Sequence, residues 1–411
     1  MIRYQQHLSR RAVVKGVASL GILSGVPRVL SGSPVGRRLF AFVGTDTVPV
    51  DGAANGRGIY LFEVDPITGH MKLVKLAAET PSPSWLCLHP SRKFLYAVNE
   101  LSTYQGNNGS VSAFAIDSKT AELVHLNTVS SQGAEPTHVS IDASGKFAFV
   151  ANYAGGSMAV FEIRPDGSLS EATEVHRDES SLGPTKAKDA PTGSFAISGH
   201  DAPHAHMALA DPQNRFVIQT DLGQDRIYVY RLNSENGHLN PASIPFASVP
   251  AGDGPRHFAF HPNGRWMYSI QEEASTLIFF RYDPQAGSLT AMQTISALPS
   301  GFEGTNFCSE MIVSSDGRFL YAANRLHNSI ATFAINATGH LSHLDDTPTQ
   351  GDYPNHIVIA PGGRFLYVCN QRSDQITSFR VNARTGLLRF TGAYQALGTP
   401  MCMAFFEEAK A

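Results

Sequence analysis

One short pattern recurs seven times along the chain and constrains its fold more than any other feature. A small, charged or amide residue is followed by an apolar residue, two variable positions and then Phe or Tyr. The copies are Gly58-Ile-Tyr-Leu-Phe62, Ser110-Val-Ser-Ala-Phe114, Ser157-Met-Ala-Val-Phe161, Arg226-Ile-Tyr-Val-Tyr230, Thr276-Leu-Ile-Phe-Phe280, Ser329-Ile-Ala-Thr-Phe333 and Gln375-Ile-Thr-Ser-Phe379. A turn follows each copy, as in Thr68-Gly-His-Met, Asn236-Gly-His-Leu and Thr385-Gly-Leu-Leu. Glycine there supplies the positive φ of a tight hairpin, so each turn joins two antiparallel strands. Ahead of the copies sits a second hairpin, seen in "HPSRKFLYAVNE" from His89, "HPNGRWMYSIQE" from His261 and "APGGRFLYVCNQ" from Ala360. Four short strands per unit of about 50 residues, with hairpin punctuation and no convincing amphipathic helix, predict an all-β, seven-bladed β-propeller.

Successive aromatic anchors are 52, 47, 69, 50, 53 and 46 residues apart, and only the third interval is long. Its excess falls on "SSLGPTKAKDAPTGSFAISGH", residues 180–200, which is polar and broken by Pro and Gly. It should form a long loop over one face, where it could serve as a wall or lid. The two ends of the repeat explain each other. "GRRLFAFVGT" from Gly36 matches a second strand with no first strand before it, whereas "TPMCMAFF" from Thr399 resembles a first strand such as "SPSWLCLH" from Ser82. The C-terminal strand should therefore complete the first blade and close the ring, making residues 36–411 a single domain.

Before that domain, "HLSRRAVVKGVASLGILSGVPRVLSGS" carries the pair Arg10-Arg11 and a modest apolar run. Residues 1–35 read as a twin-arginine export signal and linker, cleaved near Ser31 to Ser33, with a periplasmic destination. No segment approaches the roughly 20 unbroken apolar residues of a membrane span. A net charge of −3 offers no basic excess for nucleic acid. The 411 residues, 42% hydrophobic, can bury a large core. Cys87, Cys308, Cys369 and Cys402 lie in apolar strand-like runs without CxxC spacing, so they read as buried free thiols. Oligomeric state is left open.

First strands of a propeller line its central channel, so residues at their starts and at the ends of the next strands gather at one mouth. The starts read Pro136-Thr-His138, Pro203-His-Ala-His206, Pro255-Arg-His257, Ser309-Glu310 and Pro354-Asn-His356. The next strands end in Asn99-Glu100, Asn152-Tyr153, Asp221, Gln271-Glu272, Asn324-Arg325 and Asn370-Gln371. Long charged side chains in a channel are costly unless paired or used, which favours a site. The alternative is that the histidines and arginines only cap neighbouring blades by hydrogen bonds.

The stretches "PHAH", "GPRHFAFHPNG", "SE" before "MIVSSDGRFLYAANR", and "GDYPNHIVIAPGGRFLYVCNQ" resemble the lactonase family of seven-bladed propellers, from about Gly36 to Phe406. That family includes 6-phosphogluconolactonases and fungal 3-carboxy-cis,cis-muconate cyclases. The resemblance implies a catalytic group of His204 or His206, Arg256, Glu272 and Arg325, with Gln271-Glu272 standing where Asn-Glu is common. His138, His257, Glu310, Asn324, His356 and Asn370 are the expected substrate-binding positions around it. In a lactone hydrolase the two arginines would polarise the ring carbonyl, the histidine would take a proton from water and Glu272 would orient it. In a cyclase the same arginines would anchor substrate carboxylates.

Neither chemistry calls for a cofactor or a metal. Glu100, Asn152, Glu272 and Glu310 could imitate a calcium site, but the aligned mouth is rich in arginine. The expected partner is a small-molecule lactone or carboxylated compound, with a sugar-derived lactone favoured. Export weighs against its phosphorylated form. A non-catalytic ligand-binding propeller is the remaining possibility.

Overall fold

The computed structural model describes residues 38–49, 54–177, 179–194 and 199–408. The segment expected to be an export signal, with Arg10-Arg11, lies outside the described residues. Among these, seven four-stranded antiparallel sheets are formed and no helix occurs. Blade 1 is made of Pro400–Glu407, Leu39–Thr45, Gly58–Val64 and Met71–Glu79, in that spatial order. Blades 2 to 7 then follow in chain order over 85–130, 136–177, 205–248, 255–296, 308–348 and 354–396. The first strands of neighbouring blades contact one another all the way round, including blade 1 with blades 2 and 7.

Closure is made by the C-terminal strand, as the repeat predicts. Pro400–Glu407 pairs antiparallel with Leu39–Thr45, bringing Phe40 opposite Phe406 and Phe42 opposite Ala404. This ties the last described residues to the first strand, so the ring leaves no open seam between blades 7 and 1.

Stacking of the sheets explains why the repeat lacks a two-residue alternation in its inner strands. Leu39–Thr45, Phe319–Asn324 and Phe365–Asn370 are buried along their whole length because both faces pack on neighbouring blades. Outer strands such as Met71–Glu79 are largely exposed beyond their first residue and carry Lys and Glu.

Two repeated contacts bind blade to blade. The hairpin glycines Gly69, Gly167, Gly237, Gly287 and Gly386 have positive φ, and a Cβ on any of them would strike a Phe ring of the preceding blade. That close approach is what the turn motif encodes. Beside these glycines the tyrosines of the second strands donate to their carbonyls: Tyr96 to Gly167, Tyr321 to Gly386 and Tyr367 to Gly69, at 2.8 to 2.9 Å. Cys308, Cys369 and Cys402 are buried free thiols, and Cys87 is free and half-buried.

The described part of the 180–200 segment forms no strand. It is held to mouth-side turns by Gly183 N to Gly223 O, Gln224 Nε2 to Ser180 O, and Gly304 N to Thr192 O. None of its described residues lines the central cavity.

Candidate active site

Each blade sends between one and three side chains to the mouth, and the backbone selects two recurring positions among them. Where the first strand begins, its register slips by one residue. Pro255 faces Gln271 but His257 faces Ile270, leaving Arg256 without a partner in the ladder. The same bulge frees Thr137, His206, Asn355 and Met401. All five line a cavity of about 430 Å³ on the propeller axis. A bulge turns its extra residue out of the pleat, and here it turns it into the channel.

The second contribution comes one residue beyond the buried end of the second strand: Asp46, Glu100, Tyr153, Glu272, Arg325 and Gln371. In all six blades the backbone N–H of this residue is pinned to a carbonyl at the start of the first strand, as in Glu272 to Gly254 and Arg325 to Phe307, both at 2.8 Å. The residue before it stays inside the blade. Asn324 donates to Ala297 O at 2.7 Å and Asn370 to Thr377 Oγ1 at 3.0 Å, both fully buried. These two expected binding residues therefore build the blade and do not line the cavity.

Arg256, Glu272 and Arg325 come together. Glu272 Oε2 lies 2.9 Å from Arg256 Nε and 2.7 Å from Arg325 Nη2. A backbone carbonyl also holds each guanidinium: Arg256 Nη1 donates to Ser309 O at 2.7 Å, and Arg325 Nη2 to Cys308 O at 3.2 Å. Burial pushes the Glu272 carboxyl up, but Arg325 and Arg256 outweigh it and hold the group below its ordinary range. Burial and the neighbouring Arg325 charge lower the pKa of Arg256. Two guanidiniums around one carboxylate leave a net positive charge facing the cavity.

The histidine role resolves onto His206. His204 stacks on Tyr153 at 4.2 Å between centroids, and its nitrogens are taken up by Tyr153 O and Asp201. It is absent from the cavity lining, whereas His206 is present. His206 Nδ1 lies 3.1 Å from His257 Nε2, and His257 Nδ1 lies 3.0 Å from Glu310 Oε2. Burial raises the Glu310 pKa; when Glu310 is ionised it accepts from His257 Nδ1–H, His257 Nε2 then accepts from His206 Nδ1–H, and His206 Nε2 keeps its lone pair. Burial, followed by the charge on Arg256, holds His206 well below the usual imidazole range, so it is neutral at neutral pH. The side chains next to His206 Nδ1 are therefore the His257–Glu310 pair. Glu272, expected to orient the histidine, serves the arginines instead.

Beside the cavity, aromatic side chains from four blades pack together. Trp85 packs on His138 at 4.7 Å, His356 at 5.1 Å and His257 at 5.2 Å. Burial drives the His138 pKa well down and that of His356 to about 4, so these two imidazoles are uncharged around neutrality. His138, His356 and Glu310 do not line the cavity; His257 and Trp85 reach its surface.

Sequence reasoning missed part of the lining. Glu135 and Tyr353 precede Pro136 and Pro354 and adopt positive φ of 51° and 62°, which brings them to the mouth. Gly254 holds the same place before Pro255, with φ of 69°. The repeated residue-plus-proline at the strand start was the available signal. The four oxygen donors that could imitate a calcium site are dispersed: Asn152 bonds to Ser131 and Ser157 in its blade, Glu310 to His257, and Glu272 to the arginines. Among the described residues no group of three or more His, Cys, Asp or Glu is arranged to hold a metal ion.

A closed seven-bladed ring whose axial cavity opposes a neutral imidazole to paired guanidiniums defines a propeller enzyme of the lactone-hydrolase class. Residues 40–405 match the family described as Lactonase, 7-bladed beta-propeller, and the chain belongs to that family. A 6-phosphogluconolactonase of Bacillus subtilis is 31% identical over 372 residues, covering 90% of this chain and 99% of the relative. A second, from Formosa agariphila, is 33% identical over 307 residues, covering 74% and 82%. The solved structure of a periplasmic gluconolactonase from Pseudomonas aeruginosa superposes with a TM-score of 0.79 at 29% identity, covering 91% of this chain and 99% of that one.

Proposed function

We propose that the protein hydrolyses the ring ester of a sugar-derived lactone, with His206 as general base and Arg256 and Arg325 as the oxyanion clamp. The observation that carries this is the Glu310–His257–His206 chain, which presents a neutral imidazole to the cavity that holds both guanidiniums. His206 Nε2 takes a proton from water as the water oxygen bonds to the lactone carbonyl carbon. Negative charge then collects on the carbonyl oxygen beside the guanidiniums. Collapse of the tetrahedral intermediate breaks the bond to the ring oxygen, which receives the proton from the His206 imidazolium and leaves as the hydroxyl of a hydroxy acid. Positioned general-base catalysis contributes about 10²–10⁴-fold and an oxyanion donor about 10²–10³-fold.

A cyclase would need the arginines for substrate carboxylates, but Glu272 already lies between them and further carboxyl groups line the same cavity, which favours hydrolysis of a less charged lactone. The reading extends to the periplasm, supported by Arg10-Arg11 with the apolar run behind them. The test is proton release by the mature protein on gluconolactone, 6-phosphogluconolactone and a carboxymuconolactone. His206→Asn should lower kcat by about 10²–10⁴. Equal turnover in that variant would remove His206 from the mechanism. Absence of turnover on all three would point to a binding propeller.

A further inference from the structure

The cavity is charged oppositely on its two sides. Blades 5 and 6 supply Arg256, Glu272 and Arg325, while blades 1 to 3, across the ring, supply Asp46, Glu100 and Glu135. Asp46 and Glu100 occupy the same structural position in their blades as Glu272 and Arg325. Four carboxyl groups thus line the cavity against two guanidiniums, and no lysine is among its described lining residues. Arg372, the nearby cation stacked 3.7 Å from the Tyr353 ring centroid, is exposed and outside the lining.

On the acidic side Ser84, 4% exposed, lines the cavity beside Glu100, and its side chain favours the ionised form of that carboxyl. Burial, reinforced by the charge on Asp46, raises the Glu100 pKa to about 8, so at neutral pH this group is a carboxylic acid that can donate. The wall thus offers both acceptors and donors at hydroxyl-bonding positions. A phosphate dianion there would face like charge, which is unfavourable across a desolvated contact.

We propose that Asp46, Glu100 and Glu135, with Ser84, form a specificity wall that receives the hydroxyl-bearing tail of an uncharged polyol lactone and rejects a tail ending in phosphate. The substrate then spans the cavity, its ester carbonyl at the arginines and its hydroxyls at blades 1 to 3. This rests on the lactonase reading above, since the tail is placed relative to the carbonyl.

The experiment compares kcat/KM for glucono-1,5-lactone and its 6-phosphate, together with the Kd of D-gluconate and 6-phosphogluconate by calorimetry, in the mature protein and in the Asp46→Asn/Glu135→Gln double variant. The unphosphorylated compound should be preferred by about tenfold or more in both measurements, equivalent to about 1.4 kcal/mol. The double variant should narrow that preference by about tenfold, mostly through KM and Kd. A wild-type preference for the phosphorylated compounds, or a ratio unmoved in the double variant, would overturn the proposal. If neither lactone is hydrolysed, the lactonase reading falls while the two Kd ratios still decide the wall. Failure of both acids to bind overturns the wall as well. Urea unfolding of the double variant at the wild-type midpoint and m-value serves as the folding control.

Discussion

Replacing Glu272 by alanine tests the site where the structure departs most from sequence expectation. Its carboxylate sits 2.9 Å and 2.7 Å from two guanidiniums, and all three side chains are 13% exposed or less. At an effective dielectric constant of about 20, one such pair at about 4 Å is worth about 4 kcal/mol before desolvation is counted. Removing one member of a buried ion pair typically costs about 3–5 kcal/mol, because the partner charge stays behind. Here two like charges stay behind. Urea unfolding of Glu272→Ala should show a loss of about that size at unchanged m-value. Turnover should fall as the arginines separate, and added formate should restore part of both by returning a carboxylate to the gap. The Glu272 carboxyl is held below its ordinary range, so its stabilisation is complete above the unfolded pKa and is lost as pH falls through the folded one. The variant should therefore close its stability gap with wild type in acid. A loss below about 1 kcal/mol, within the range of an exposed pair, together with no response to formate would refute the bridging role.

Three further outcomes follow from the same geometry. His257→Gln removes the imidazole that fixes the His206 tautomer, so kcat should fall by about 10²-fold with KM little changed; equal losses in both would indicate general disruption of the cavity. Glu100, with a folded pKa of about 8, binds a proton in the native state that the unfolded chain has released. Wild-type stability should therefore fall relative to Glu100→Gln as pH rises from the ordinary carboxylate range to about 8, and parallel stability curves would contradict this. Tyr321→Phe deletes the 2.8 Å bond to Gly386 O between blades 6 and 7 and should cost about 1–3 kcal/mol by thermal or urea unfolding without affecting kcat.

The blade count, the closing strand and the seam contacts were all legible because they repeat. Tyr321 and Gly386 lie in motifs that recur around the ring, so a pattern in one dimension reports a contact between sheets. The site was legible only to within one residue. His204 and His206 both follow Pro203, and what separates them is the bulge that sets Ala205 opposite Asp221 and Met207 opposite Thr220. A bulge has no obligatory residue type, so the sequence could not show which histidine leaves the pleat. The same ambiguity put Asn324 and Asn370 among the binding residues, although the pleat turns each inward and gives the next residue to the cavity. Glu272 was found by position but given the wrong partner, because alignment along one blade says nothing about which neighbour a long side chain reaches across the channel.

These register effects explain how such a ring can change specificity while its sheets stay the same. The cavity residue after the second strand is held by its backbone N–H, as Glu100 is to Ser82 O and Gln371 to Tyr353 O, so its side chain makes no contribution to that bond. The bulged residue likewise has no ladder partner to satisfy. Position by position, then, Asp46, Glu100, Tyr153, Glu272, Arg325 and Gln371 are structurally equivalent and chemically unlike. Exceptions fall where the chain spends the position on packing: Leu222 in blade 4 is fully buried, and in blade 6 Glu310 turns to His257. With acids on blades 1 to 3, His206 on blade 4 and arginines on blades 5 and 6, the proposed direction of the substrate is set by which blade carries which charge.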